Sequence, residues 1–213
     1  MNDRGATTRV VTTNEGGLRV GRVLRASTRG FVVGSAVMQP DMPAFGSFVR
    51  AEGQRPGSTI YGLIYDVSVE DDPFVRQLIS AELREEDQEV VVRDHRQNRQ
   101  VPVEVSVLAV GCGDDTGIRH CLPAQPPIAL DWLYQCTAEE VRAFTARLDY
   151  VRLVLEAREV PADELLAASL RAAAAARPEA KRETFLVEAG RELARLLAGD
   201  PVRLEGLLRR LCS

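Results

Sequence analysis

The sequence predicts an α+β protein, in which a small antiparallel β-barrel of about six strands is followed by a C-terminal helical bundle. Short runs rich in Val and Phe, bounded by Gly, Pro or Asp, recur between Leu18 and Val110, a pattern typical of a closed or sandwiched β domain. A proline-rich stretch then indicates an extended linker, and the residues beyond it carry helical signals. We therefore expect a flexible N-terminal tail over residues 1–17, a barrel over residues 18–127 and a helical bundle over residues 128–213.

The predicted strands follow one another closely along the chain. They are LRVGRVLRAS, FVVGSAVM, GSFVRAEG, STIYGLIYDVSVE, EVVVRD and QVPVEVSVLAVG. Between the fourth and fifth runs, apolar residues at helical intervals predict one helix near residues 73–85 that crosses the barrel. Pro123, Pro126 and Pro127 mark the linker that leaves the barrel.

Capping signals place the helices of the C-terminal part. Thr137, with Glu140 three residues later, is a capping box. Pro161 suits the first position of an alanine-rich helix, and Asp200 before Pro201 suits the start of the last helix. We expect four or five helices in this part of the chain.

Composition argues against several classes of function. The chain has 213 residues, of which 45% are apolar and 27% charged, as in an ordinary soluble globular protein. A net charge of −4 argues against attraction of the whole molecule to nucleic acid or to an anionic membrane. No run approaches the ~20 apolar residues of a membrane helix, and no apolar segment follows the first Arg residues. We expect a cytoplasmic protein without membrane insertion.

Lysine usage argues against two kinds of enzyme. Lys181 is the single lysine of the chain, and it lies in RPEAKRETF with no glycine before it. A Walker A loop requires G-x-x-x-x-G-K-[ST], so the sequence holds no P-loop. A lysine Schiff base is equally disfavoured, because Lys181 lies in a charged, helix-like segment. We predict no cofactor and no catalytic residue.

Tyr61 and Tyr65 are the first candidates for a partner-binding site. By strand alternation they share one face with Leu63 and Val67. In one interpretation the two rings contact a partner or stack on a ligand. In the interpretation that we favour, they line the barrel or shield a seam between strands. Gly62 predicts a place where another backbone approaches closely.

A basic connector between two predicted strands supplies the other candidates. Arg93, Arg96 and Arg99 could contact a partner or phosphate. The segment holds no aromatic residue, whereas proteins that bind single-stranded nucleic acid usually interleave aromatic residues with basic ones. A solvated hairpin loop is the favoured interpretation.

The acidic residues after the long strand have a structural explanation. Asp66, Glu70, Asp71 and Asp72 offer carboxylates to a hard cation, but their spacing fits no EF-hand. Asp71 and Asp72 instead suit the start of the helix that Pro73 opens. We favour helix capping over a metal site.

The cysteines do not predict a metal site either. Cys112, His120, Cys121 and Cys136 are of zinc-ligand type, but the cysteines are separated by 8 and 14 residues rather than arranged in close pairs such as C-x₂₋₄-C. Cys212 is the fourth cysteine of the chain, and no two cysteines form a C-x-x-C motif. We expect reduced thiols.

Five segments in order resemble the HerA–ATP synthase barrel, or HAS-barrel. They are GRVLRASTRGFVVGSAV, GSFVRAEG, IYGLIYDV, VEVSVLAVG and IRHCLPAQPP, and together they span about residues 18–127. In HerA-type translocase ATPases and in ATP synthase head subunits, such barrels pack side by side into a ring crown ahead of a motor domain. Because this chain holds no Walker A loop, the resemblance implies a stand-alone barrel without the motor.

The resemblance implies a non-catalytic assembly or adaptor protein, whose barrel docks on a protein partner or ring complex or self-associates. The alternative is a nucleic-acid-associated accessory factor, suggested by Arg19, Arg22, Arg25 and Arg29. Strand alternation places Arg22 on the face opposite Arg19 and Arg25 unless a β-bulge intervenes. An enzyme with an unrecognised site, at the acidic cluster or at His120 and its neighbour Cys121, is least favoured.

Overall fold

The computed structural model describes residues 17–35, 43–69 and 103–212. Its strands are β1 (Arg19–Ala26), β2 (Gly30–Ser35), β3 (Phe48–Glu52), β4 (Thr59–Val69), β5 (Val103–Asp114), β6 (Gly117–Arg119) and β7 (Trp132–Gln135). Its helices are α1 (Ala138–Phe144), α2 (Tyr150–Glu156), α3 (Ala162–Ala175), α4 (Glu179–Leu196) and α5 (Pro201–Cys212). Several predictions lie outside the described residues: the tail up to residue 16, the EVVVRD strand, the helix near residues 73–85 with its capping residues Asp71 and Asp72, and the Arg93–Arg99 connector.

Six antiparallel strands close into a barrel. The order around the barrel is β1, β2, β5, β4, β3 and β7, and β7 pairs back with β1. Strand β6 continues from β5 as a short hairpin. Closure gives each of the six strands a hydrogen-bonded neighbour on both sides. The predicted α+β class, with a barrel ahead of a helical part, is confirmed.

The sixth barrel strand comes from beyond the proline-rich linker. There β7 pairs with β1 through Arg22 and Trp132, and with β3 through Ala51 and Leu133. Leu133 is fully buried in the barrel, whereas Trp132 and Tyr134 are half-buried on the outside, as strand alternation requires. Because a helical bundle was predicted from residue 128 onward, the assignment of these four residues was wrong.

The barrel interior is filled by small and branched apolar side chains. Thirteen buried residues form this barrel core: Val20, Val23, Phe31, Val33, Val49, Ala51, Ile60, Ile64, Val103, Val105, Val107, Ala109 and Leu133. At Gly62 an added Cβ would lie 3.0 Å from the carbonyl oxygen of Leu108, so the structure shows the close backbone approach that the sequence predicted there.

The helical part begins with the predicted caps. Thr137 Oγ1 accepts from the Glu140 N–H at 3.2 Å, and Glu140 Oε2 accepts from the Thr137 N–H at 2.7 Å, which confirms the capping box. Asp200 Oδ1 accepts from the Arg203 N–H at 3.0 Å at the start of α5. Helix α3 is central and contacts α2, α4 and α5. Within the described residues, no helix is both long enough and apolar enough to cross a membrane.

The barrel and the helices share a second hydrophobic core, which is organised around Phe144. The Phe144 ring centroid lies 5.8 Å from that of Phe48 in β3, 4.9 Å from Tyr61 in β4 and 5.4 Å from Tyr150 in α2. A Cβ at Gly111 of β5 would lie 2.7 Å from Phe144 Cε2, so only glycine leaves room for the ring. The two parts of the chain are therefore one packed unit.

Candidate functional site

The predicted tyrosines lie where the barrel meets the helices. Tyr61 and Tyr65 are half-buried and pack, with Leu63, against the shared core rather than lining the barrel. Burial raises the pKa of the Tyr61 hydroxyl above its ordinary value. Val67 packs instead against the barrel core, because a bulge between Ile64 and Asp66 shifts the alternation. The predicted common face therefore holds for the first three residues and was wrong for Val67.

Tyr65 also borders a cleft of about 810 Å³ between the barrel and the end of α2. Leu122 and Val160 contribute apolar surface to this cleft. Arg29 and Glu159 lie across it with their charged groups 3.8 Å apart, and both side chains are largely exposed. An exposed pair of this kind adds little stability, so it does not by itself hold the two sides of the cleft together.

The other predicted candidates are only partly described. Arg93, Arg96 and Arg99 lie outside the described residues, and their role stays a prediction. Asp66 is exposed on β4, whereas its acidic neighbours Glu70, Asp71 and Asp72 also lie outside the described part.

The cysteines and His120 do not converge on one point. Cys112 and Cys121 lie with their Sγ atoms 3.7 Å apart. His120 is directed elsewhere, because its Nε2 donates to the Phe144 carbonyl oxygen at 3.0 Å. Burial strongly raises the pKa of the Cys136 thiol, which lies near Glu140. Among the described residues, no group of three or more His, Cys, Asp or Glu side chains is arranged to hold a metal ion.

An arginine and tryptophan cluster on the barrel surface forms the strongest candidate site. The Arg22 guanidinium carbon lies 4.1 Å from the Trp132 ring centroid, and that of Arg19 lies 5.0 Å from it. Both distances fall within the range of cation–π attraction. Arg22 Nη1 also donates to the Leu130 carbonyl oxygen at 2.7 Å. The indole and two guanidinium groups are thus fixed against one another.

A β-bulge explains why both arginines reach the same ring. The register between β1 and β7 shifts between Arg19 and Gly21, and this extra residue places the Arg19 and Arg22 side chains on the same outer face. The bulge is the condition on which the sequence prediction for these arginines depended. A second register shift lies between Val23 and Arg25, and Leu24 between them is exposed, as alternation after the buried Val23 requires.

Two leucines add exposed apolar surface beside the cluster. Leu24 is 48% exposed and packs over Gly34, the residue that pairs directly with Arg22. Leu130 is 64% exposed and has a φ of 63°, a left-handed conformation that is uncommon for leucine. Its backbone is held in place because its N–H donates to the Val23 carbonyl oxygen at 2.8 Å. Backbone strain of this kind concentrates at functional surfaces.

Tyr134 continues the cluster across the next strand. The Arg50 guanidinium carbon lies 5.1 Å from the Tyr134 ring centroid, and Arg50 Nε lies 2.6 Å from Glu140 Oε1 of α1.

The arginine–tryptophan face is defined as Arg19, Arg22, Leu24, Leu130, Trp132 and Tyr134. It lies on β1, β7 and the linker, whereas the shared core covers β3, β4 and β5.

Sequence reasoning did not single out Trp132. The signal was present. Trp132 and Tyr134 are aromatic residues of the kind enriched in strands, and their spacing of two places them on one face of a strand with Leu133 on the other.

Comparison with known proteins assigns this chain to no family: no protein-family model and no curated protein matches it. The chemistry of its own surface therefore carries the argument for function.

Proposed function

We propose that the protein is a non-catalytic assembly or adaptor protein, which docks a protein partner through the arginine–tryptophan face. The observation that carries the proposal is the packing of Trp132 against Arg19 and Arg22 on the outer side of the barrel. Tryptophan, tyrosine and arginine are the residues that most often dominate the binding energy of protein interfaces. Here all three types lie together on adjacent strands.

The chemistry of the face defines the partner. Arg19 and Arg22 are ion-paired with no carboxylate of the described residues, so their charge is available to a partner. Leu24 and Leu130 are exposed, and burying them in an interface is favourable when the partner offers apolar side chains there. The partner is therefore a protein surface that carries carboxylates next to apolar side chains. Because the guanidinium groups are already held by Trp132, little side-chain entropy is lost on binding.

The resemblance to the HAS-barrel supports the same proposal. Barrels of that family act as assembly surfaces in ring complexes, and this chain carries five similar segments in the same order. Since the sequence has no Walker A loop, the proposed role is to dock on an assembly rather than to drive it. The predicted cytoplasmic location is part of this proposal.

Nucleic acid is the competing partner, because a half-buried indole flanked by arginines on the outer side of the barrel also suits base stacking. Two observations disfavour it. Arg25 and Arg50 are paired with Glu104 and Glu140, at 3.1 Å and 2.6 Å. The chain also carries a net charge of −4, which opposes the broad phosphate attraction that nucleic-acid binders use.

Purification of the tagged chain from its native cells, with quantitative mass spectrometry, tests the proposal. Partners that wild type retains are expected to be lost from W132A and from the charge-reversed double variant R19E/R22E. R209E is the matched control, because Arg209 is 78% exposed on α5, a helix that packs on α3 and α4. The partner is then purified and its affinity measured, and R19E/R22E is expected to weaken binding at least tenfold. Partner retention unaffected by both face variants would overturn the proposal.

Two further measurements separate the alternatives. Light scattering of the isolated chain identifies self-association, in which case the partner is a second copy and the dimer is lost in R19E/R22E. A salt series with single-stranded DNA and RNA tests the competing class. Tight binding that falls steeply with salt and requires Trp132 would replace the adaptor proposal with a nucleic-acid one.

A further inference from the structure

Two thiols lie close together at the point where the chain leaves the barrel. Cys112 is on β5, directly opposite Arg119 of β6, and Cys121 follows Arg119 by two residues. The two Sγ atoms are 3.7 Å apart although the residues are nine positions apart in the chain. Cys121 is exposed and Cys112 is half-buried. One thiol is therefore open to reagents in solution, and the second lies directly behind it.

We propose that Cys112 and Cys121 form a dithiol modification site, which is converted reversibly to an intramolecular disulfide by exchange with low-molecular-weight disulfides of the glutathione class. The Cys121 thiolate attacks one sulfur of the small disulfide, which forms a mixed disulfide and releases one small thiolate. The Cys112 thiolate then attacks Cys121 Sγ, and the second small thiolate leaves. Two protein thiols are oxidised and one small disulfide is reduced to two small thiols.

The geometry favours attack by Cys112 over persistence of the mixed disulfide on Cys121. A disulfide bond requires the two sulfurs to approach by only ~1.7 Å from their present separation. Cys121 lies in a bend outside β6, so its backbone is not tied into the sheet ladder. The Arg119 guanidinium lies beside the Cys112 thiol and is held there by Asp114, with Nη2 2.6 Å from Oδ2. Burial and the neighbouring Cys112 thiol raise the pKa of the Cys121 thiol, so the first attack is expected to become faster as pH rises.

Cys136 provides a contrast within the same chain. It packs against the shared core and is half-buried at the end of β7. Its surroundings strongly favour the neutral thiol. Of the three cysteine side chains that the structure describes, Cys112 and Cys121 form a close pair with one exposed member, whereas Cys136 packs against the shared core.

The disulfide would tie β5 to the first turn of the linker. Further along the linker, Gln54 Nε2 donates to the carbonyl oxygens of Pro126 and Pro127 at 3.2 Å and 3.3 Å. Oxidation therefore fixes the start of a segment whose end is already held by the β3–β4 turn. Since a cross-link restricts the unfolded chain, we expect the oxidised protein to melt higher by roughly 5 °C.

The test equilibrates the full chain in glutathione buffers of increasing oxidation, then blocks remaining thiols and maps peptides by mass spectrometry. Using C212S as the starting variant removes the fourth cysteine. We expect one Cys112–Cys121 cross-linked peptide, reversed by dithiothreitol, with Cys136 fully alkylated after unfolding. In C112S we expect a single glutathione adduct to accumulate on Cys121, because the resolving thiol is absent.

Three results would overturn the proposal. The first is that both thiols remain free in the most oxidising buffer. The second is that wild type accumulates the glutathione adduct as C112S does, which would mean that Cys112 does not resolve it. The third is that the cross-link joins Cys136 or a second chain. Circular dichroism of C112S and C121S confirms that each variant is folded before it is compared.

Discussion

The Tyr61 ring of barrel strand β4 lies 4.9 Å, centroid to centroid, from the Phe144 ring at the end of helix α1, with the two planes inclined by 40°. This contact joins residues that are far apart in the sequence and that belong to different parts of the fold. Phe144 is 1% exposed, so the contact lies inside the shared core. We therefore expect the barrel and the helices to unfold together.

The first prediction concerns this contact. Y61A removes a half-buried ring and its aromatic partner, and we expect a loss of about 2 kcal/mol in the free energy of unfolding. Y61F keeps the ring and is expected to change stability by less than about 0.5 kcal/mol. Urea unfolding measures the stability of both variants.

The same unfolding curves test whether the two parts unfold together. Trp132, the single tryptophan, reports on the barrel by fluorescence, and far-UV circular dichroism reports mainly on the helices. Separate midpoints for the two signals would contradict the shared core.

The second prediction concerns the glycine that admits Phe144. A Cβ at Gly111 would lie 2.7 Å from Phe144 Cε2 and 2.9 Å from the Arg119 carbonyl oxygen. We expect G111A to cost about 1–3 kcal/mol, because either the ring or the β5–β6 hairpin must move. G199A is the matched control, since a Cβ there has no neighbour within 4 Å among the described residues. Equal stability of the two variants in urea would show that the ring repacks freely.

The third prediction concerns the start of α1. T137A removes the oxygen that accepts from the Glu140 N–H, and we expect it to cost about 1 kcal/mol. T137S retains the hydroxyl and is expected to recover most of that loss. Thermal melts followed by circular dichroism measure the three proteins. A melting temperature for T137A equal to that of wild type would show that tertiary packing alone fixes this helix.

The fourth prediction is a pH dependence. His120 has a side chain that is 4% exposed, and burial lowers its pKa below the ordinary 6.5, although the Phe144 carbonyl and Asp149 act in the opposite direction. As the pH falls below 6.5, His120 binds a proton in the unfolded chain while it is still neutral in the folded chain. The contribution of His120 is thus fully present above that pH and is lost as pH falls towards the folded-state pKa.

Urea midpoints at about pH 7.5 and about pH 5 measure the effect. H120Q is the control, because glutamine retains an N–H donor for the Phe144 carbonyl and does not titrate. We expect the loss of stability between the two pH values to be smaller in H120Q than in wild type. An equal or larger loss in H120Q would assign the dependence to the carboxylates instead.

Local patterns predicted much of the fold. The runs that became β1 to β5 combine branched apolar residues with Gly, Pro or Asp at their ends, and the caps at Thr137 and Asp200 depend on residues three positions apart. Such signals depend on residues a few positions apart, so they can be identified in the sequence without knowledge of the tertiary structure. β7 was missed because four residues give a weak strand signal, and its pairing with β1 depends on residues more than 100 positions away.

The candidate surface was less accessible to sequence reasoning. The alternation rule separates Arg19 from Arg22, and only the bulge before Gly21 reunites them over Trp132. A bulge is set by the competing demands of two neighbouring strands, and one strand's sequence does not display it. In the same way, Tyr61 and Tyr65 were recognised as notable residues, but the helix end that covers Tyr61 became visible only in three dimensions.

The position of β7 has a consequence for the order in which the protein can mature during synthesis. As the chain leaves the ribosome, β1 and β3 are complete long before Trp132–Gln135 exists. Until then the nascent barrel has two open edges, which offer unpaired amides to any passing strand. The two edges therefore stay open while the proline-rich linker is being translated. A truncation at that linker would remove β7 and leave the edges of β1 and β3 unpaired.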